Sequence, residues 1–173
     1  LINYSLFVEL CNIVEKYKDR YEESKRSHIE KVITNGKKLF YSGMFPTLPD
    51  LFLSELESHD NTKFYSDEYF GAVLRHAVNF CGAKYPSKEI EDFANNSIDT
   101  HKKLNSHHPE SFLNPNDMTL MHLALMISDW EAVASEEKNS TREWWNKVKG
   151  NYNFDEEHVD MIERLIWFFE NYK

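Results

Sequence analysis

The stretch NDMTLMHLALMISDWEAVASEE, Asn116 to Glu137, decides how this chain folds. Asn116 or Asp117 offers an N-cap, and an apolar run follows at helical spacing up to Val133. Asp129 stands on that apolar face: its i−4 and i−3 neighbours are Leu125 and Met126, and its i+4 neighbour is Val133. Burying an ionised carboxylate is very costly without a cation, a donor network or a proton. This one segment therefore predicts a core helix that carries a polar group in need of a partner.

Working outward, the same periodicity recurs. A first helix is expected from about Ser5 to Tyr21, with Leu6, Leu10, Ile13 and Tyr17 as its stripe, and a second from about Glu23 to Tyr41, stopped at Gly43. Thr47 and Asp50 open a short third helix ending near His59. Ser66 precedes a fourth, and Ser87 a fifth from Lys88 to about Asn105. After the sixth, Ser140 with Glu143 and Asn153 with Glu156 read as capping boxes for the last two. Alternating period-two segments are nearly absent. The expectation is an all-α fold, a single-domain helical bundle of about eight helices over residues 1–173.

Composition agrees. At 173 residues, with 41% hydrophobic and 14% aromatic residues, the chain can bury one sizeable core. Five Gly and five Pro are few for a turn-rich sheet protein. The net charge of −9 argues against an extended nucleic-acid partner. Cys11 and Cys81 are isolated, as in a reducing compartment. The opening Leu1 to Phe7 lacks a basic leader region, and the apolar runs Leu123–Ile127 and Leu165–Phe169 are too short to span a bilayer. A cytoplasmic protein without a membrane partner is expected, with a homodimer through the aromatic last helix left open.

Eight histidines are the informative feature. His28 lies one turn before Val32, beside the inward stripe. His59-Asp60 closes the third helix. If the fifth helix continues, His101 and His108 fall two turns apart on the face of Ile90, Ala94 and Ile98, which makes His108 the less exposed of the His107-His108 pair. A metal shared between Asp129 and histidines from other helices would meet the need of the buried carboxylate. His76, His122 and His158 read as structural, and Trp144, Trp145 and Trp167 as packing for the last two helices.

A histidine on an early helix, His-Asp ending a short helix, and Asp on a later long helix: this ordered set resembles the HD superfamily of metal-dependent phosphohydrolases. His59-Asp60-Asn61-Thr62-Lys63 is similar to its His-Asp-x-x-Lys signature, and Ser128 to Ala132 to the helix bearing its last Asp. The fuller pattern, His101-x-x-x-Asn105-x-His107-His108-Pro109-Glu110, resembles an uncharacterised HD-like family of bacteria and phages. The likeness runs from His28 to Ala132, within an HD-like core of about 22–137 on which helices over 140–172 would pack.

The resemblance implies one or two divalent ions, with Mn, Fe, Co, Ni or Zn suited to mixed His and carboxylate ligands. His28, His59, Asp60, Asp129 and His108 would be ligands, with His101 and His107 the candidates for a second ion. It implies hydrolysis of a nucleotide or other small phosphate ester by a metal-activated water, with Asp60 and Lys63 catalytic. Lys63, His101, His107 and Glu110 would meet the substrate. Two other readings stay open: an HD-type oxygenase using two irons, and a non-catalytic binder of a nucleotide or partner.

Overall fold

The computed structural model describes residues 4–172, less the side chains of Ser66 and Asp67. Leu1 to Asn3, part of the opening read for a leader, and Lys173, the end of the expected domain, lie outside the described residues, as does any cap from the Ser66 side chain. Among the described residues the chain is all-α, with seven α-helices and short 3-10 turns in three of the connections: α1 (Tyr4–Tyr41), α2 (Leu51–Ser58), α3 (Ser66–Cys81), α4 (Lys88–Leu104), α5 (Leu120–Glu137), α6 (Thr141–Val148) and α7 (Glu156–Asn171).

The two helices expected before Tyr41 are one. Nothing around Arg20 to Glu23 breaks a helix, since neither Gly nor Pro occurs there. Glu15–Lys18 at 2.8 Å and Glu22–Arg26 at 3.6 Å bridge successive turns along its surface. The end falls as the sequence predicts, with Gly43 at φ 70 just past Tyr41. Two helix starts shift. Asn114 accepts from the Asn116 N–H and caps the 3-10 turn Pro115–Asp117, so α5 begins only after Thr119, whose side chain pairs with His122 in a capping box. Asp155, not Asn153, caps α7 by accepting the His158 N–H at 2.9 Å. The Ser140 cap on the Glu143 N–H is present.

The chain divides into two compact units. The first comprises residues up to Ser27 and Asp60–Leu104; the second comprises His28–His59 and Asn105 onward. In the first, α3 packs on α4, and Leu10, Val14, Tyr21, Val73, Leu74, Ile90 and Ala94 form the core. In the second, α5 meets α2, α6 and α7. Its core holds Val32, Leu39, Phe52, Leu56, Met126, Ile127, Trp145, Ile162 and Leu165 among others, all fully buried. Each such side chain contributes roughly 1.5–3 kcal/mol by leaving water.

Gly36 on α1 allows a close approach in this second core: a Cβ there would lie 2.4 Å from both Leu56 Cδ atoms on α2. Of the tryptophans expected to pack, Trp145 is fully buried, while Trp144 and Trp167 are about half exposed on the outer faces of α6 and α7. Trp145 is anchored by donating from Nε1 to Glu163, 2.7 Å away. Among the described residues no helix is long and apolar enough to cross a membrane.

Candidate metal-binding clusters

In the second unit four elements deliver polar side chains to one place. His28 projects from α1, His59 follows the last turn of α2, His107 sits in the turn after α4, and Asp129 comes from the middle of α5. His59 ends its helix cleanly: its backbone leaves the helical region at φ −51, ψ 130 while its N–H still reaches Leu56 O. Asn35 on α1 donates to the Ser128 carbonyl at 3.2 Å, and Ser128 is itself buried with its hydroxyl on Ala124 O. Those bonds fix the stretch of α5 that carries Asp129 against the stretch of α1 that carries His28.

The geometry is close. His28 Nε2 is 2.9 Å from Asp129 Oδ1, and His59 Nε2 is 3.6 Å from the same oxygen. One ligand atom each of His59, His107 and Asp129 lie within 4.8 Å of one another. The rings of His59 and His107 are 4.3 Å apart, those of His107 and His108 4.2 Å. Burial of Asp129 opposes its ionisation, but hydrogen bonds from His28 and His59 outweigh it and hold the carboxyl well below its usual range. His28, His59 and His107 are buried and Asp129 nearly so. On the far side of His28, Glu136 Oε1 lies 3.4 Å from Nδ1 and 3.0 Å from Lys31 Nζ. Burial disfavours the charged form of Glu136, yet its contacts with His28 and Lys31 keep its pKa lowered.

The first unit holds a second polar cluster, centred on Asp60. Its Oδ2 accepts from Lys63 at 2.7 Å and from Lys25 at 3.3 Å, and its Oδ1 is 3.2 Å from His101 Nε2. The other edge of the His101 ring, Nδ1, is 2.7 Å from Glu68 Oε1. Asp60, Glu68 and His101 are all buried. Desolvation pulls the His101 pKa down, but the hydrogen bonds to Asp60 and Glu68 more than reverse it, and the net shift is upward. Tyr21 donates to the Lys63 carbonyl at 3.0 Å; burial, then the negative charge of Asp60 and Glu68, pushes its phenol far up.

The expected residues thus fall into place unevenly. His28, His59, His107 and Asp129 meet in the second unit; Asp60, Lys63 and His101 meet in the first. The order of burial at His107-His108 is the reverse of the expected one, with His107 buried and His108 only partly so. The reason is that α4 ends at Leu104, and His108 is the N-cap of the 3-10 turn Pro109–Ser111, so the two-turn spacing from His101 does not apply. Glu110 is exposed and hydrogen-bonds with the Tyr152 hydroxyl, whose pKa burial and that carboxylate push up to about 12. His122 and His158 are structural, as expected. His158 uses Nδ1 on Asp155 and Nε2 on Met118 O.

Lys25, Glu68 and Glu136 are not anticipated from sequence. Lys25 stands three residues before His28 and Glu136 seven after Asp129, spacings that share a helix face and could have flagged both. Nothing in the sequence around Glu68 marks it.

An all-α protein with buried His/Asp clusters that could bind a metal is the class this geometry defines. A family model matches residues 17–167, and the chain belongs to that family, described as a family of unknown function, DUF5662. No curated protein and no solved structure matches the chain.

Proposed function

We propose that this protein is a metal-dependent phosphohydrolase acting on a nucleotide or another small phosphate ester. The observation that carries the reading is the convergence of His28, His59, His107 and Asp129 from four separate segments of one unit. Three imidazoles and one carboxylate, close together and shielded from water, form a donor set suited to Mn, Fe, Co, Ni or Zn. A divalent ion there supplies Lewis acidity towards a phosphoryl oxygen and lowers the pKa of water. The resemblance of the His59-Asp60-x-x-Lys63 segment to the HD signature gives the reaction class, and it gives Asp60 its role as ligand.

The chain's own residues do the rest. Asp129 accepts from His28 and so keeps that ring oriented. Lys63 and Lys25, both on Asp60 Oδ2, bring two ammonium groups to one carboxylate, which suits them to offset charge on phosphoryl oxygens. His101, between Asp60 and Glu68, is placed to hold or move a proton at Nε2.

Elemental analysis of the purified protein, followed by phosphate release from a panel of nucleotides and phosphate esters with each divalent ion, tests this reading. Bound metal and turnover are expected in the wild type, and both should be lost in His59→Ala and Asp129→Ala variants that keep their helical circular dichroism. Turnover that survives both substitutions overturns the proposal. Two irons with oxygen uptake, and no phosphate release, would replace it with an oxygenase.

A further inference from the structure

Helix α5 starts on a histidine that is used as a hydrogen-bond acceptor. The Thr119 N–H donates to His122 Nδ1 at 3.1 Å, and the Thr119 hydroxyl lies 3.2 Å from the same nitrogen. In return the Thr119 side chain accepts from the His122 N–H, which completes the capping box. The third helical position of such a box is ordinarily Glu or Gln, whose side-chain oxygen accepts at neutral pH. Imidazole accepts there only while Nδ1 is bare, because imidazolium carries a proton on both nitrogens. A positive charge in the first turn would also oppose the helix dipole.

We propose that the start of α5 is an acid-sensitive latch: neutral His122 closes the first turn through Nδ1, and protonation of the ring opens it. The surroundings of the ring are simple. Glu55 on α2 is the charged group whose field reaches it, and it favours the imidazolium. Phe112 faces it with an uncharged ring 5.1 Å away, and α5 itself carries no Asp, Glu, Lys or Arg before Asp129. Burial outweighs Glu55 and lowers the His122 pKa. A lowered folded value means that the cap contributes fully above the unfolded pKa of about 6.5 and is lost as pH falls through the folded one. His158 on α7 stands beside the same turn and supplies a contrast. Its Nε2 is 3.0 Å from the Met118 carbonyl and its Nδ1 2.7 Å from Asp155 Oδ1, so both edges face acceptors and protonation breaks neither contact. The latch is independent of any metal or phosphohydrolase activity.

The wild-type chain tests this without any variant. Across pH 8 to 4.5, nitrogen-15 shifts of the His122 ring should show Nδ1 bare at high pH, and the Thr119 amide proton should shift with the same midpoint as the ring. Hydrogen-exchange protection of the Thr119 amide, corrected for the intrinsic pH dependence, should fall by roughly 5-fold or more through that midpoint, the size of a lost cap. His122→Gln keeps an acceptor that does not titrate, so its Thr119 protection should stay level over the same range. Its urea midpoint should rise relative to the wild type as the pH is lowered. A Thr119 amide that ignores the His122 titration overturns the proposal, as does a proton found on Nδ1 at pH 8. Equal acid loss of Thr119 protection in the wild type and His122→Gln overturns it too.

Discussion

Gly36→Ala is the substitution for which the structure gives the sharpest expectation. An added Cβ would meet Leu56 Cδ1 and Cδ2 at 2.4 Å and Cγ at 2.9 Å, where ordinary contacts lie between 3.4 and 4 Å. Something must move by roughly 1 Å. Leu56 is fully buried in the second core, and interiors are close-packed, so the strain falls on the approach of α2 to α1. Overpacking of this kind costs about 1–3 kcal/mol, against a gain of about 1 kcal/mol from replacing Gly with Ala inside a helix. A net loss of up to about 2 kcal/mol is expected. Leu56→Ala alone should cost about 2–5 kcal/mol by leaving a cavity. In that background the clash is gone and the new methyl fills part of the void, so Gly36→Ala should become stabilising by about 1 kcal/mol. Urea denaturation of the wild type, the two single variants and the double variant measures the change of sign. Equal effects of Gly36→Ala with Leu56 present and in the Leu56→Ala background would refute the close approach as the reason for the glycine. Because His59 follows Leu56 at the end of α2, the single variant should also weaken divalent-metal binding, and the Leu56→Ala background should restore part of it.

Two further outcomes follow from the same contacts. If His28, His59, His107 and Asp129 hold an ion, a concentration 100-fold above its Kd adds about 2.7 kcal/mol, or about 5–11 °C in Tm for a chain of this size; thermal melts with and without Mn(II) should show that rise in the wild type and none in Asp129→Ala. The Asp155 carboxyl is lowered by accepting the His158 N–H and by the His158 side chain, so its cap stabilises α7 above the unfolded carboxylate pKa of about 3.9 and loses that contribution as pH falls through the lower folded value. Asp155→Asn, which caps without titrating, should match the wild type at pH 7 and be the more stable of the two in acid melts near pH 3.

How much of this is legible in the sequence depends on the kind of signal. Core-facing periodicity gives the all-α class, because stripes such as Leu6, Leu10 and Ile13 recur at helical spacing wherever a helix is half-buried. Helix junctions are harder. The continuity of α1 through Tyr21 is decided by the absence of any stop, and an absence is easily over-read as a boundary when the apolar stripe changes face. Burial places Asp129 beside histidines because a carboxylate among Leu125 and Met126 must be compensated. His108 departs from its expected burial because helical geometry does not continue beyond Leu104, where the chain turns. Glu68 is invisible: its partner His101 lies on another helix, and no sequence pattern encodes a contact between separate elements.

Asp60 shows where the two kinds of reading meet. The chain passes from one compact unit to the other between His59 and Asp60, and Asp60 takes the left-handed conformation at φ 59, ψ 12 before the 3-10 turn Asn61–Phe64. For a residue with a side chain this costs on the order of 1 kcal/mol, and glycine would do it at no steric cost. Asn would tolerate the bend about as well as Asp. The turn therefore explains a small polar residue or a glycine, and it does not explain a negative charge. The charge is explained by its neighbours, Lys63 and Lys25 on Oδ2 and His101 on Oδ1, with the turn held by Lys63 N–H on the Asp60 carbonyl at 2.9 Å. A left-handed backbone at a buried carboxylate held by two ammonium groups and an imidazole sets Asp60 apart on grounds independent of any motif.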